Sequence, residues 1–449
     1  YPNIPIENIN LSTQIISAKG TAEDLILKLN PVQLELAGSP FKIEGEVKNL
    51  RDIVYDIKTQ GTLDIGQLTK IFPVKDMEIS GLIQTNLIAK GSKKDLDAKD
   101  YTNIKNGGKL VAQNIVVSSK LFPEAFKVSS GTFKFFKDKM RFEEFYATYG
   151  KSDLNLNGYI HNFLRYMFNR KYLRDKKEKL NAEIDLKSNH IDADEFMTML
   201  TTYSAASEDK EATVKVDTTQ KAPQAVPNRG PSVFRISRTA NLKITANVKE
   251  IEFEEYKMQT FTGELLVKDR NISISNASFQ MAGTSIAMTG IYEPKHRLLA
   301  NYKANFKAQN FDIQRAYAEI PIFNQMVSMA KDAYGIASLD YTLAGAIDQN
   351  MDIDFKAIEG EGTLTLEDIQ FKNFKILEHV AKKADAQDLD KANFNQIAIH
   401  TTIKNNVMTI TPVTMKMAGF RGKLEGQVYI ERKINIGFRL GLPPLGLIK

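Results

Sequence analysis

Histidine and carboxylate side chains carry most of the chemistry this chain has to offer at neutral pH, so their spacing comes first. The five histidines are His161, His190, His296, His379 and His400. None has a second histidine three or four residues on, so the pairing by which a helix holds zinc is absent. His190 with Asp192, Asp194 and Glu195 is the nearest approach to a ligand cluster. The same aspartate recurs at Asp64 and Asp312 without such company. The cluster therefore reads as a helix start, where the helix dipole favours acids. The pairs Glu143-Glu144 and Glu254-Glu255 fall in strands or turns and read as solvated faces rather than an acid/base couple. There is no Cys, which removes a thiolate nucleophile, a cysteine zinc site and a disulfide framework. G-x-S-x-G, P-loop and G-x-G-x-x-G patterns are missing as well. The expectation is no catalytic residue, no metal and no cofactor, and hence no enzyme.

Charge offers one local signal. Across 449 residues, Lys+Arg number 60 against Asp+Glu 54, a diffuse excess that does not point to nucleic acid. The stretch from Arg165 to Lys179 concentrates seven Lys/Arg against two acids, with Tyr166, Met167, Phe168, Tyr172 and Leu173 interleaved. Arg165, Arg170, Lys171 and Arg174 are candidates for contact with anionic lipid headgroups. The plainer reading is a solvated hairpin with aromatic feet in the core.

The elements around these residues are mostly strands, and they repeat. One unit runs from Gly131 to Ile160, a second from Gly263 to Tyr292, and a third ends at Ile399 to Tyr429. Each has a polar turn (Lys137-Asp138, Lys268 to Asn271, Lys404 to Asn406), then a glycine, then a second glycine seven or eight residues later. Those glycines are Gly150 and Gly158, Gly283 and Gly290, and Gly419 and Gly426. Repetition at this scale builds long surfaces rather than one pocket. Period-2 alternation gives each strand one dry and one wet face. Alternation alone nominates Phe133, Phe135, Leu154, Leu156, Ile272, Ile274, Tyr302, Phe306, Leu339, Tyr341, Leu343, Ile397, Ile399, Met415, Met417, Ile434, Ile436 and Phe438 as lining of an apolar groove. Charges placed there, as in Phe306→Glu or Ile436→Lys, are expected to block lipid movement while the strands survive.

Three short helices start alike, at 63–72, 191–200 and 311–320, each led by an aspartate that can cap. Asp64 with Gln67 and Asp192 with Glu195 match a capping box, whereas Asp312 has Arg315. A fourth helix is expected within 376–394. Residues 204–232, rich in Ala, Ser, Thr, Pro and charge, read as a flexible linker. They divide the chain into an N-terminal β-repeat portion, 1–203, and a C-terminal one, 233–449. The expected fold is mainly β: an elongated, curved antiparallel sheet of repeated units with an open groove and a few short helices. No apolar run reaches the 18 residues of a membrane span.

The segment AYGIASLDYTLAGAIDQNMDIDFKAIEGEGTLTLEDIQFKNFKILEHVAKKA, 333–384, resembles the C-terminal region of the AsmA family in its Bacteroidetes form. The continuation NFNQIAIHTTIKNNVMTITPVTMKMAGFRGKLEGQVYIERKINIGFRLGLPPLGL, ending in a Pro-and-Gly tail, and the earlier SDLNLNGYIHNFLRYMF, 152–168, resemble the same region. The family is similar to TamB and to bridge-like lipid transfer proteins. The resemblance implies a periplasmic body with a cupped, groove-bearing β-sheet that moves phospholipid between inner and outer membranes. It also implies an inner-membrane helix ahead of the opening YPNIPIENIN, and envelope protein partners. The expected function is lipid transfer in support of outer-membrane biogenesis. The alternatives are an assembly factor or scaffold holding protein clients at a sheet edge, and an adhesive β-protein with a filled core.

Overall fold

The computed structural model of the chain describes residues 6–36, 38–71, 74, 77–98, 104–119, 122–164, 179–212, 232–236, 238–372, 393–394, 396–417, 420–429 and 433–441. It is mainly β, and the chain divides into two compact units. Unit 1 comprises 1–216, 236–247 and 266–270. Unit 2 comprises 217–235, 248–265 and 271–449. The described strand pairings within each unit are antiparallel, and consecutive strands are neighbours.

In unit 1 the strands are β1 (Ile6–Asn10), β2 (Thr13–Ile16), β3 (Ile26–Leu36), β4 (Ser39–Lys48), β5 (Val54–Asp64), β6 (Met77–Ser92), β7 (Lys105–Ser119), β8 (Phe126–Phe136), β9 (Lys139–Tyr149), β10 (Ser152–His161) and β11 (Leu180–Asp192). Both β1 and β2 pair with β3, and the order then follows the sequence to β11. Strands β12 (Ala240–Phe253) and β13 (Tyr256–Lys268) each contribute to both units. In unit 2 the order is β14 (Asn271–Met281), β15 (Thr284–His296), β16 (Leu299–Asp312), β17 (Ala333–Asp348), β18 (Glu359–Phe371), β20 (Ile397–Lys404), β21 (Val407–Met417), β22 (Phe420–Tyr429) and β23 (Lys433–Gly441). The two-residue β19 (Asn393–Phe394) adds to β18. Among the described residues the end strands leave open edges: β23 pairs with β22 alone, and β1 and β2 pair with β3 alone.

The repeat has a structural cause. Lys137, Asp269-Arg270 and Asn405-Asn406 sit at positive φ in the tight turns that join β8–β9, β13–β14 and β20–β21. Hairpins favour such turns because their twist matches that of the strands. Seven or eight residues after the next turn comes the second glycine of each copy. Gly158, Gly290 and Gly426 each stand beside a bulge in the preceding strand, at 143–144, 275–276 and 411–412. A bulge bends its strand and sharpens the twist. A fourth copy, beyond the three written out in the sequence, has its bulge at Asn30-Pro31 beside Gly45, the glycine that precedes the first capped helix as Gly158 and Gly290 precede the others. A Cβ on Gly45 would collide with the carbonyl oxygen of Asp56, and one on Gly158 with that of Glu183. Glycine is required where the bend brings the next strand's backbone this close.

The three capped helices form as expected: α1 (Ile65–Ile71), α3 (Ala193–Ala212) and α4 (Ile313–Glu319). A short α2 (Lys93–Asp97) follows β6. The Asp64 carboxylate accepts from the Gln67 amide at 3.0 Å, Asp192 from Glu195 at 3.2 Å, and Asp312 from Arg315 at 2.7 Å. The Glu195 carboxylate does not complete a box; it accepts from the Lys151 amide at 3.0 Å and so ties α3 to the β9–β10 turn. The linker expected to begin at 204 is helical as far as Ala212, because its Ala, Glu and Lys residues extend α3. Residues 213–231, most of the helix expected at 376–394, and Arg165, Arg170, Lys171 and Arg174 lie outside the described residues. Asn393 and Phe394, placed in that helix by the sequence, are strand.

Candidate functional site

Alternation puts a dry row beside a wet row all the way across unit 1. One dry row runs Val32, Ile43, Thr59, Leu87, Gly108, Phe135, Met140, Ile160 and Ala182, from β3 to β11. The next runs Leu34, Phe41, Gly61, Thr85, Leu110, Phe133, Phe142, Gly158 and Ile184. Nine strands set side by side span about 40 Å. The wet row between them reads Gln33, Lys42, Gln60, Asn86, Lys109, Lys134, Arg141, Tyr159 and Glu183.

Burial along the dry face is uneven. Toward β9–β11 it is packed. Val128, Ala147 and Leu154 form a buried cluster with Leu156, Leu186 and Phe196 of α3 against it, and Phe142 is 6% exposed. Toward β3–β8 it is only partly so, with Val32, Ala112 and Val128 buried among less covered neighbours. Leu34, Phe41, Ile43, Ile57, Leu63, Ile83, Leu87, Leu110 and Phe133 are all only half-buried. In a sheet with a second layer these are the side chains that would be sealed from water. Here α1 touches the end of β6, where the Thr69 hydroxyl meets the Ile79 carbonyl. Half-buried apolar side chains on six consecutive strands form a patch well beyond scattered surface residues.

Unit 2 has the same alternation and a different outcome. Its row runs Ile274, Gly290, Ala304, Leu343, Gly360, Ile403, Met408, Val428 and Ile434. Tyr341, Leu343, Ile358, Ile403, Met408, Ile410 and Val428 form a buried cluster, with Ile403 at 2% and Ile358 at 0% exposure. Two segments roof it. Ile322 lies in helix α5 (Pro321–Met326) with Val327 just beyond, and Phe355 and Ile358 flank a 3₁₀ turn. The Tyr341 hydroxyl bonds the Thr401 hydroxyl at 2.9 Å, crossing strand β18 at Gly362, where no side chain intervenes. Burial pushes the pKa of the Tyr302 hydroxyl up to about 12, and it has no hydrogen-bond partner among the described residues.

The nominated groove residues therefore divide. Phe133, Phe135, Leu154 and Leu156 lie on the dry face of unit 1. Phe133 meets Phe145 edge-on at 5.8 Å, and Phe135 tilts onto Phe163 at 5.4 Å. Tyr341, Leu343 and Ile397 are buried in unit 2, and Tyr302, Phe306, Leu339 and Ile399 pack against its cluster. Ile272 and Ile274 are half-buried on β14. Met415, Met417, Ile434, Ile436 and Phe438 sit on described strands, but their side chains are outside the described residues. The half-buried floor of β3–β7 was not nominated, although the same period-2 signal marks Leu27 and Leu29, Phe41 and Ile43, and Tyr55 and Ile57.

The titratable groups singled out by the sequence have structural work. The His190 amide donates to Asp153 at 2.8 Å, the Lys151 ammonium pairs with Asp192 at 3.0 Å, and Glu143 bridges Lys134 and Arg141. For Asp153, burial pushes the carboxyl up, but hydrogen bonds from Asn189, His190 and Ser188 together outweigh it and hold it below the usual range. Asp192 shows the same opposition, with Lys151 and the α3 amides prevailing over burial. Among the described residues no three such side chains converge to hold a metal ion. No family model, curated protein or solved structure matches this chain.

Proposed function

We propose that this protein binds phospholipid through its acyl chains on the dry face of unit 1, and that it serves lipid transfer between inner and outer membranes from the periplasm, as its AsmA-like sequence features suggest. The observation that carries the reading is the half-buried apolar floor of β3–β8, which alternation makes continuous and which the described helices do not roof. Each methylene an acyl chain lays on such a floor is favoured by about 0.8 kcal/mol over exposure to water. Capture and release then need a continuous apolar path and no bond-breaking step.

Native mass spectrometry of the purified chain, with lipid extraction of the same sample, tests this. Co-purifying phospholipid that is lost in Ile57→Lys and Leu87→Lys, with the far-ultraviolet dichroism unchanged, is the expected result. A lipid-free protein that also fails to take up fluorescent phospholipid overturns it. One observation favours a second reading. The edge formed by β1 and β2 exposes Ile9, Leu11, Ile15 and Ile16, at 59%, 63%, 70% and 43%, with little of the charge that protects edges. An extended apolar peptide adding a strand there would be a protein client. Saturable binding of such a peptide, abolished by proline at Gln14, would favour that alternative.

A further inference from the structure

The wet face of unit 1 carries a cavity of about 780 Å³ that the lipid reading does not use. Its walls come from β8 to β12, and the pairing register sets the residues in two rows. One row is Lys134, Arg141, Tyr159 and Glu183; the other is Phe136, Lys139, His161 and Asn181. The centre is a quadrilateral of Lys139 and Arg141 on β9 and Tyr159 and His161 on β10. Same-face neighbours on one strand are about 7 Å apart and adjacent strands about 5 Å apart. Those four side chains therefore project side by side from one face of the hairpin.

The charges there are partly uncommitted. Arg141 gives its Nε to Glu143 at 2.9 Å, and no described residue takes its two Nη groups. Lys139 has no ion pair among the described residues. The Tyr159 ring stands edge-on to His161 at 5.1 Å, which fixes both planes. Tyr159 is further held by a hydrogen bond to Glu183. Phe136, 66% exposed, forms the rim, with the Lys137 ammonium 5.8 Å from its ring centroid. Arginine's planar fork and a lysine point charge two residues away are the pair that phosphate oxygens favour. On the neighbouring strand Glu183 and Asp185 line the same cavity, with Lys243 of β12 beyond them.

We propose that this cavity is a binding site for a phosphate ester bearing an ammonium group, with Arg141 and Lys139 holding the phosphate and Glu183 and Asp185 facing the amine. The site lies on the opposite face from the apolar floor, so either proposal can fail without the other. The test is calorimetric titration of the full chain with phosphoethanolamine and, separately, with inorganic phosphate. The expected result is saturable binding of phosphoethanolamine, at least fivefold tighter than inorganic phosphate, and weakened at least fivefold in Arg141→Gln and in Lys139→Gln. Lys90→Gln, on the wet face away from the cavity and paired with Asp56, should bind as the parent does. Competition by phosphatidylethanolamine vesicles would assign the site to a lipid headgroup, and its absence to a soluble phosphate ester. No binding, or binding unchanged in both cavity variants, overturns the proposal.

Discussion

Units 1 and 2 follow one pattern and reach opposite ends. In both, nine strands align a dry row, and bulges beside Gly45, Gly158, Gly290 and Gly426 bend the strands. In unit 2 the dry face is a core, with Ile358 and Ile403 sealed and two connecting segments laid over it. In unit 1 the sealed clusters lie toward β8–β11, and most apolar side chains on the dry face of β3–β7 stay half-buried. The difference lies in what the connections do. The α4–α5 segment and the turn before β18 supply Ile322, Val327, Phe355 and Ile358 as a roof. In unit 1, helix α1 reaches the end of β6, and the five-residue α2 after β6 has no buried residue. An alternating sheet makes an apolar face, and the connections decide whether that face becomes a sealed core or stays half-open.

The sharpest way to break this comparison is to place the same charge in both units. Ile403→Lys puts an ammonium into a sealed cluster, where burial of an unpaired charge costs several kcal/mol. Unit 2 should lose its cooperative unfolding transition. Ile57→Lys sets the same group on the half-open floor, where the long side chain can reach water. Its unfolding midpoint should move little while lipid uptake falls. Chemical denaturation with lipid extraction reads both, and equal destabilisation by the two variants would refute the contrast. Phe306→Glu belongs with Ile403→Lys, because Phe306 packs on the sealed cluster; it tests folding rather than transport.

Much of this was legible in the sequence. Period-2 runs marked the strands, polar turns marked the hairpins, and aspartates marked three helix starts, because these are local signals with local causes. The fourth repeat keeps the glycine spacing, Gly38 to Gly45, but the connection ahead of its bulged strand, 17–25, is longer than the tight turns that mark the other copies. Which dry faces are roofed was not legible. Tyr341 and Phe41 alternate alike, and only the tertiary placement of Ile322 and Ile358 separates them. The cavity at Arg141 and Tyr159 also depends on cross-strand register, which brings together residues 18 positions apart in sequence.

Two tyrosines refine the account of unit 2. Tyr302→Phe removes a buried hydroxyl with no partner among the described residues, so it should raise stability by about 1 kcal/mol. Tyr341→Phe removes the bond to Thr401 and should lower stability by about 1 kcal/mol. Because burial holds the folded Tyr302 near 12 against an ordinary value of 10.0, only the unfolded chain ionises between those values. The stability is therefore complete below pH 10 and is lost as the pH rises toward 12, and Tyr302→Phe should blunt that loss. An unchanged alkaline midpoint in Tyr302→Phe would remove this residue from the explanation.

Unit 1 should show the opposite sensitivity, with the smallest effects. Its Asp153 and Asp192 are held below the usual carboxylate range. The stabilisation they give is present above the ordinary value of 3.8 and lost as the pH falls through their lowered folded values. Asp192→Ala removes both the α3 cap and the Lys151 pair, whereas Asp64→Ala and Asp312→Ala remove a cap alone. Each cap is worth about 1 kcal/mol. Asp192→Ala should cost somewhat more than the other two, and its excess cost should fade as the pH drops below 3.8. Denaturation midpoints of the three variants at neutral and acid pH decide it. If the three remain equal at neutral pH, the Lys151 pair contributes nothing, and α3 is held to the β9–β10 turn by its cap and Glu195 alone.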